Sequence, residues 1–345
     1  MSRWVLCALV ALSGCGGEES AEPAEQECPG QACEPNPEPE PVPRPEPEPE
    51  PEVVEPEPEA QPEVIVDISA PLSPQNDFGP AGRVVTMIMP ETAREARSSG
   101  CIVHGAKVGT GLNSLIQLAG GLEQFLKPGP DGQIPLLLMA QMKGWEAGQG
   151  SGALESVDLR FYEGRVGAQG ELLVKRSSFV DGDPEGALRM DYPATAVDGG
   201  WLETPEGEFF VTVPFLGFLV NLHLIHTLIT GQVFADGPGA GMVSGVLTGY
   251  IDEDGVIGLL RDIQSGCSGE DAPAICGAIS NVFPLDKPPE ESVDTVVSFV
   301  GGYDVRLEEG FPYPCQPEGE PACNALGMCI LMELAGVEVG GLEAE

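Results

Sequence analysis

Beyond about residue 65 the chain is a succession of short apolar or alternating apolar–polar runs, each closed by Gly, Pro or Asp. Runs of four to eight such residues between turn formers predict β-strands. The first group covers 84–89, 135–142, 156–162 and 172–175, and the second 208–215, 218–234, 242–251, 295–299 and 328–339. In 156–162 the alternation puts Val157, Leu159 and Phe161 on one face. Two helices are predicted. Asn113 is placed to cap one over 114–127, which Pro128 stops, and a second over 256–264 follows the acidic turn at 252–255 and ends at Gly266. Many short strands with few helices predict a mainly β chain. The expectation is one antiparallel β-sandwich or barrel-like domain over residues 65–345, with one or two short helices.

The longest apolar stretch, 209–235, does not have the pattern of a membrane helix. Pro214, Gly217, Asn221, His223 and His226 interrupt it, and polar groups are costly in lipid. Buried hairpin strands are the better reading. A spanning β-barrel needs aromatic girdles, and the whole chain has 5 Tyr and 3 Trp.

Residues 18–63 have no apolar pattern at all. The segment is Glu, Pro, Ala and Gln with little else, and residues 16–64 hold sixteen acids against one arginine. Too few side chains can be buried to offset chain entropy, and like charges repel. A disordered, extended linker over 15–64 is predicted, with a reach of up to the order of 150 Å at polyproline II spacing.

Before the linker, Arg3 precedes an apolar run from Trp4 to Leu12 that ends in Leu12, Ser13, Gly14 and Cys15. A basic start, a short apolar middle and a small-residue exit are the layout of a secretory signal, here residues 1–14. Its ending resembles the lipobox of bacterial lipoproteins. That resemblance implies cleavage before Cys15 and lipidation of the Cys15 thiol. It also implies attachment to a membrane by acyl chains rather than by a spanning helix. Gly16 stands where an Asp would favour inner-membrane retention, so the outer membrane is implied.

The cysteines fit export. Without Cys7 and Cys15, eight of the 10 remain: Cys28, Cys33, Cys101, Cys267, Cys276, Cys315, Cys323 and Cys329. An even set in an oxidising compartment predicts disulfides. Cys28–Cys33 and Cys267–Cys276 would close small loops. One of Cys315, Cys323 and Cys329 would reach back to Cys101 and tie the ends of the domain together. No CxxC pair is present, which argues against a zinc ribbon or finger.

The net charge of −39, from 16 basic and 55 acidic residues, argues against a nucleic-acid partner, because that binding depends on Lys and Arg. It also argues against adhesion to anionic lipid. Motifs for chemistry are few. His223 and His226 lie three apart, and a strand would point them to opposite faces. His104 precedes a glycine string at Gly105, Gly109 and Gly111, which reads as a loop rather than a nucleotide site, so no cofactor is expected. No Gly-x-Ser-x-Gly elbow is present. Asp181 and Asp183, and Asp252 and Asp254, are weak calcium candidates, since Asp and Gly also build turns without metal.

Gly111, Leu112, Asn113, Ser114 and Leu115, together with the closing run from Cys323 to Cys329, are similar to segments of uncharacterised lipoproteins from myxobacterium-like Gram-negative bacteria. The resemblance implies a lipobox, an acidic linker and a β-rich cysteine-containing domain, and no activity. The reading is a non-enzymatic, lipid-anchored envelope protein that displays a β domain for binding or structural duty, with an envelope protein or glycan as partner. The alternative is an envelope hydrolase that acts on glycan or peptide through a carboxylate pair.

Overall fold

The computed structural model describes residues 78–90, 92–102, 122–145, 150–215, 218–268, 272–280, 283–309, 311–315 and 322–344. All of them lie in a unit spanning Asp67–Glu345. Cys15, Cys28, Cys33, the linker, His104, the glycine string after it and the Asn113 cap lie outside the described residues.

Thirteen strands are described: β1 (Ala81–Ile88), β2 (Leu138–Lys143), β3 (Ser156–Val166), β4 (Leu172–Val174), β5 (Asp191–Asp198), β6 (Trp201–Glu203), β7 (Gly207–Phe215), β8 (Phe218–Asp236), β9 (Gly239–Asp252), β10 (Val305–Glu308), β11 (Phe311–Pro314), β12 (Ala325–Val337) and β13 (Val339–Leu342). Eight of them pair antiparallel in the order β1-β2-β3-β5-β6-β8-β9-β12, and β12 pairs back onto β1 from Ala81↔Val337 to Ile88↔Leu331. The ladder therefore closes into a barrel. The expectation of a mainly β, antiparallel domain holds, and of its two forms the barrel is the one found.

Eight strands enclose an interior that side chains can fill. Alternation decides which side chains do so. Leu138, Ala140 and Met142 of β2 face Glu163, Phe161 and Leu159 of β3 in register, and apart from Glu163 they belong to the main core, with Val157. The predicted face of β3 is thus the inner wall. Residues of opposite parity build a second core outside it. Met139 and Tyr162, also in register, pack with Val174 of β4 and Phe179. There the Tyr162 hydroxyl donates to the buried Gln141 Oε1 at 2.7 Å. Strand β13 pairs parallel with β4, the one parallel pairing among the described strands.

The 19-residue β8 belongs to two substructures. Its second half pairs with β6 through Thr230, Gly231 and Gln232. Its first half pairs instead with β7, from Gly207↔Thr227 to Phe215↔Phe218. This hairpin continues past the barrel wall. Two helices share its core, α2 (Glu253–Gly266) through Val256, Leu260 and Ile263, and α4 (Pro289–Phe299) through Val293, Val296 and Val297. The apolar stretch 209–235 is therefore hairpin strand, as its pattern predicts. No helix among the described residues is long and apolar enough to cross a membrane.

Helix α2 begins three residues before its predicted start. Asp252 is its N-cap, with Oδ1 accepting from the Gly255 N–H at 2.9 Å, and Glu253 and Asp254 lie in the first turn, where acids suit the helix dipole. The predicted strand at 295–299 is the end of α4. Val293, Val296, Val297 and Val300 recur at helical spacing, and Pro289 at the first turn with Glu290 and Glu291 after it is a helix start. β-Branched content is a weaker signal than that periodicity. Of the helix expected over 114–127, the described part is a single 3-10 turn, Glu123–Leu126. Two shorter helices, α1 (Ala93–Ser98) and α3 (Ile275–Ile279), complete the described set.

Three disulfides are present. Cys267–Cys276 is the predicted small loop. Cys101 reaches Cys329, a sequence separation of 228, and ties the segment after α1 to β12. Ala96, Cys101, Val246 and Cys329 form a small core on the outer wall there. Cys315–Cys323 closes a short loop after β11. Cross-links stabilise more when they close longer loops. Replacing Cys101 and Cys329 together by Ala is expected to lower unfolding free energy by about 3–5 kcal/mol, more than the paired replacement of Cys315 and Cys323. Urea melts of the two variants check the order, and equal losses would contradict it.

Candidate functional site

A cleft of about 270 Å³ opens at the barrel rim, where β3 outlasts its pairing with β5. That pairing ends at Arg160↔Asp191, and the chain from Arg176 to Met190 fills the flank beyond it. Glu163 lies opposite Leu138, so its side chain shares the inward parity of Phe161 at the edge of the interior. Its two oxygens are held apart. Oε1 accepts from the Thr212 N–H of β7 at 2.9 Å, and Oε2 from the Ser177 hydroxyl at 2.8 Å. Ser178 clamps the backbone below, its hydroxyl accepting from Glu163 N–H at 2.9 Å.

The hairpin forms the far wall. Phe210, Val211 and Thr212 come from β7, and Asn221 and Leu222 from β8. The Asn221 backbone and side-chain N–H groups both donate to Asp262 Oδ2 of α2, at 2.7 and 2.9 Å. Thr212 donates its hydroxyl to Asn221 Oδ1 at 3.1 Å. The wall is thus fixed to a rigid helix. Phe210 lies flat on the His223 ring, with centroids 4.0 Å apart at 13°. Arg189 closes the rim, its Nε donating to the Phe179 carbonyl at 3.4 Å. Polar groups beside the half-buried Phe210 ring, with the core residues Met190, Val211 and Leu222 behind them, give a cleft that can hold a small amphipathic molecule. Such sites occur at the mouths of β-barrels.

Neither histidine shares a ligand set with the other. His223 Nε2 pairs with Glu208 Oε2 at 3.1 Å, and His226 Nδ1 pairs with Glu206 Oε1. The acidic partners sit across the hairpin, not beside the histidines in sequence. A bulge at His226, which has φ 50°, breaks the strand alternation there. Of the calcium candidates, Asp252 caps α2 and Asp254 lies in its first turn. Asp181 is a left-handed turn residue, and Asp183 Oδ1 accepts from Glu185 N–H at 3.0 Å. Among the described residues no group of three or more His, Cys, Asp or Glu side chains is arranged to hold a metal ion.

A second cleft, about 320 Å³, lies on the wall between β1, β9 and β12. Its one acidic lining residue, Glu333, accepts from the Thr86 hydroxyl at 3.1 Å. Glu163, Arg189 and Phe210 carried no motif. They come from three distant stretches, and only the barrel rim brings them together.

No family model matches the chain, and comparison with curated proteins and with solved structures gives no match either.

Three tyrosines near the hairpin and helices hold their protons strongly. Burial raises Tyr192 well above the usual tyrosine range; its hydroxyl lies 2.6 Å from Thr227 Oγ1 and 3.1 Å from the Glu208 carbonyl. Burial, reinforced by Glu206 and Asp304, pushes Tyr250 up to about 12. Burial and then Glu253, Asp294 and Asp252 push Tyr303 up to about 12. In the unfolded chain a tyrosine ionises near pH 10. Above that pH the unfolded state has lost protons that the folded state keeps, so stability falls as pH rises. Thermal melts are expected to be level in this respect below about pH 10 and to drop from there toward pH 12. Tyr250→Phe is expected to flatten the drop; an unchanged slope in that variant would contradict the assignment.

Proposed function

We propose that this protein is a lipid-anchored cell-envelope protein, attached through Cys15 to the outer membrane, whose β-barrel domain binds a small molecule at its rim. The anchor reading rests on the run from Arg3 to Cys15. The three disulfides, a feature of oxidising compartments, support export. The extended acidic linker then serves as a stalk that holds the domain away from the bilayer.

The cleft at the rim carries the binding reading. It combines a carboxylate, a guanidinium, hydroxyls and an amide with an aromatic ring. Strands and a helix position Glu163, Phe210, Thr212 and Asn221, and the segment from Arg176 to Met190 supplies Ser177 and Arg189. The hydrolase alternative calls for two carboxyl groups facing each other across a pocket. The rim cleft is lined by one carboxylate, Glu163, among the described residues, which favours binding over hydrolysis at that site.

Fractionation tests the anchor. Cys15→Ala is expected to move the protein from the membrane to the soluble fraction and to abolish metabolic labelling with fatty acid. Membrane retention of that variant would overturn the anchor while leaving the cleft untouched.

A further inference from the structure

Building on the reading of the rim cleft as a binding site, we infer that its ligand is a small zwitterion with an apolar side chain, an amino acid or a very short peptide. The argument begins with charge. Cations are scarce in this chain, 16 against 55 acids, and several of the described ones are paired: Arg160 with Asp191, Arg165 with Glu343, Arg261 with Glu290 and Arg306 with Glu308. Arg189 differs. Its Nε donates to the Phe179 carbonyl, and its terminal nitrogens make no hydrogen bond or ion pair among the described residues. It lines the same cleft as Glu163, yet the two form no ion pair. Two opposite charges therefore line one cleft without meeting.

Glu163 has capacity left. A carboxylate offers roughly four acceptor positions, and Thr212 and Ser177 take one on each oxygen. A ligand ammonium fits the remainder, and a ligand carboxylate fits the guanidinium fork. The half-buried Phe210 ring lines the same cleft and offers it an apolar surface. A simple anion would meet Glu163, a simple cation would meet Arg189, and a neutral sugar would leave both charges unmatched. The volume, about 270 Å³, is at the lower edge of small-molecule pockets, which begin near 300 Å³. That suits a ligand below drug size.

Calorimetric titration of the purified full chain tests this. The probes are L-leucine, L-methionine, L-phenylalanine and their homodipeptides. N-acetyl-L-leucinamide, with both charges masked, and N-acetylglucosamine serve as comparison ligands. At least one zwitterion is expected to bind saturably. The masked probe is expected to bind about tenfold more weakly or worse, the loss of a charge-assisted hydrogen bond. Arg189→Gln is expected to cost a similar factor without lowering the melting temperature, since Arg189 is exposed and makes one long hydrogen bond. Glu163→Gln gives the second arm, with circular dichroism to check its fold. Equal affinity for free and masked probes, or no binding by any zwitterion, would overturn the ligand class. Saturable binding of N-acetylglucosamine that Phe210→Ala weakens would overturn the class and keep the cleft as a binding site. Binding unaffected by both Arg189→Gln and Phe210→Ala would remove the cleft reading as well.

Discussion

Closure of the ladder between β12 and β1 is the contact on which the rest of the fold depends. Strand β1 pairs with β2 over only three residues, Ala81 to Arg83, whereas it pairs with β12 along its whole length. Without β12, β1 would be an edge strand with one short neighbour, and the interior would open along one side. The approach at this seam is unusually close. A Cβ on Gly239 would strike the Ala81 carbonyl oxygen, and one on Gly336 would strike the Asp236 carbonyl oxygen. Larger side chains at these two positions would hold the strands apart. Asp236 also accepts from the Gly336 N–H at 2.7 Å, which fixes the β8–β9 turn to the seam. The Cys101–Cys329 bridge pins a segment beyond β1 to β12, so a covalent bond backs the same closure.

Closure also explains why the cleft lies where it does. A closed eight-stranded barrel fills its own interior with side chains, and here Phe161, Leu138, Ile229 and Leu247 do so. The rim cleft lies where the wall is uneven. Strand β3 runs past the start of β5, and β8 departs from β6 to pair with β7. Those two irregularities bring Glu163 and the Thr212 N–H together at the rim. The bulge at His226 helps β8 change partners, since a residue with positive φ bends the strand and breaks its register with β9. The Asn221–Asp262 hydrogen bonds then hold the hairpin wall against α2.

The barrel wall was largely legible in the sequence because its signal is local. The alternation of Val157, Leu159 and Phe161, and the long apolar runs that became β8, β9 and β12, announce strands without reference to partners. Strand β5 was not legible, since Asp191, Ala194 and Asp198 dilute its apolar face and its stability comes from burying Tyr192 among neighbours. Helix α4 was misread because its valines carry strand propensity, while its start signal, Pro289 with two glutamates, lies upstream of them. Closure itself has no local mark: pairing of residue 81 with residue 337 is visible only in three dimensions. The site is illegible for the same reason. Glu163, Arg189 and Phe210 are ordinary residues whose significance lies in their meeting at the rim.

The charge of the chain bears on what such a cleft admits. Residues 65–345 hold 39 acids against 14 bases, and this surplus sets up a repulsive field for anions that extends about 10 Å from the surface at moderate salt. A net-neutral zwitterion is indifferent to that field at long range and feels charges only on contact. Under the proposed reading, the acidic surface and the unpaired Arg189 therefore act at different distances. The field turns away free anions that the guanidinium alone would attract, and the guanidinium then holds a carboxylate carried in by a molecule of no net charge. A lone arginine in a neutral or basic protein would lack this discrimination. On that reading the surplus of acid serves more than solubility: it makes an unmatched cation at the cleft selective for one class of ligand.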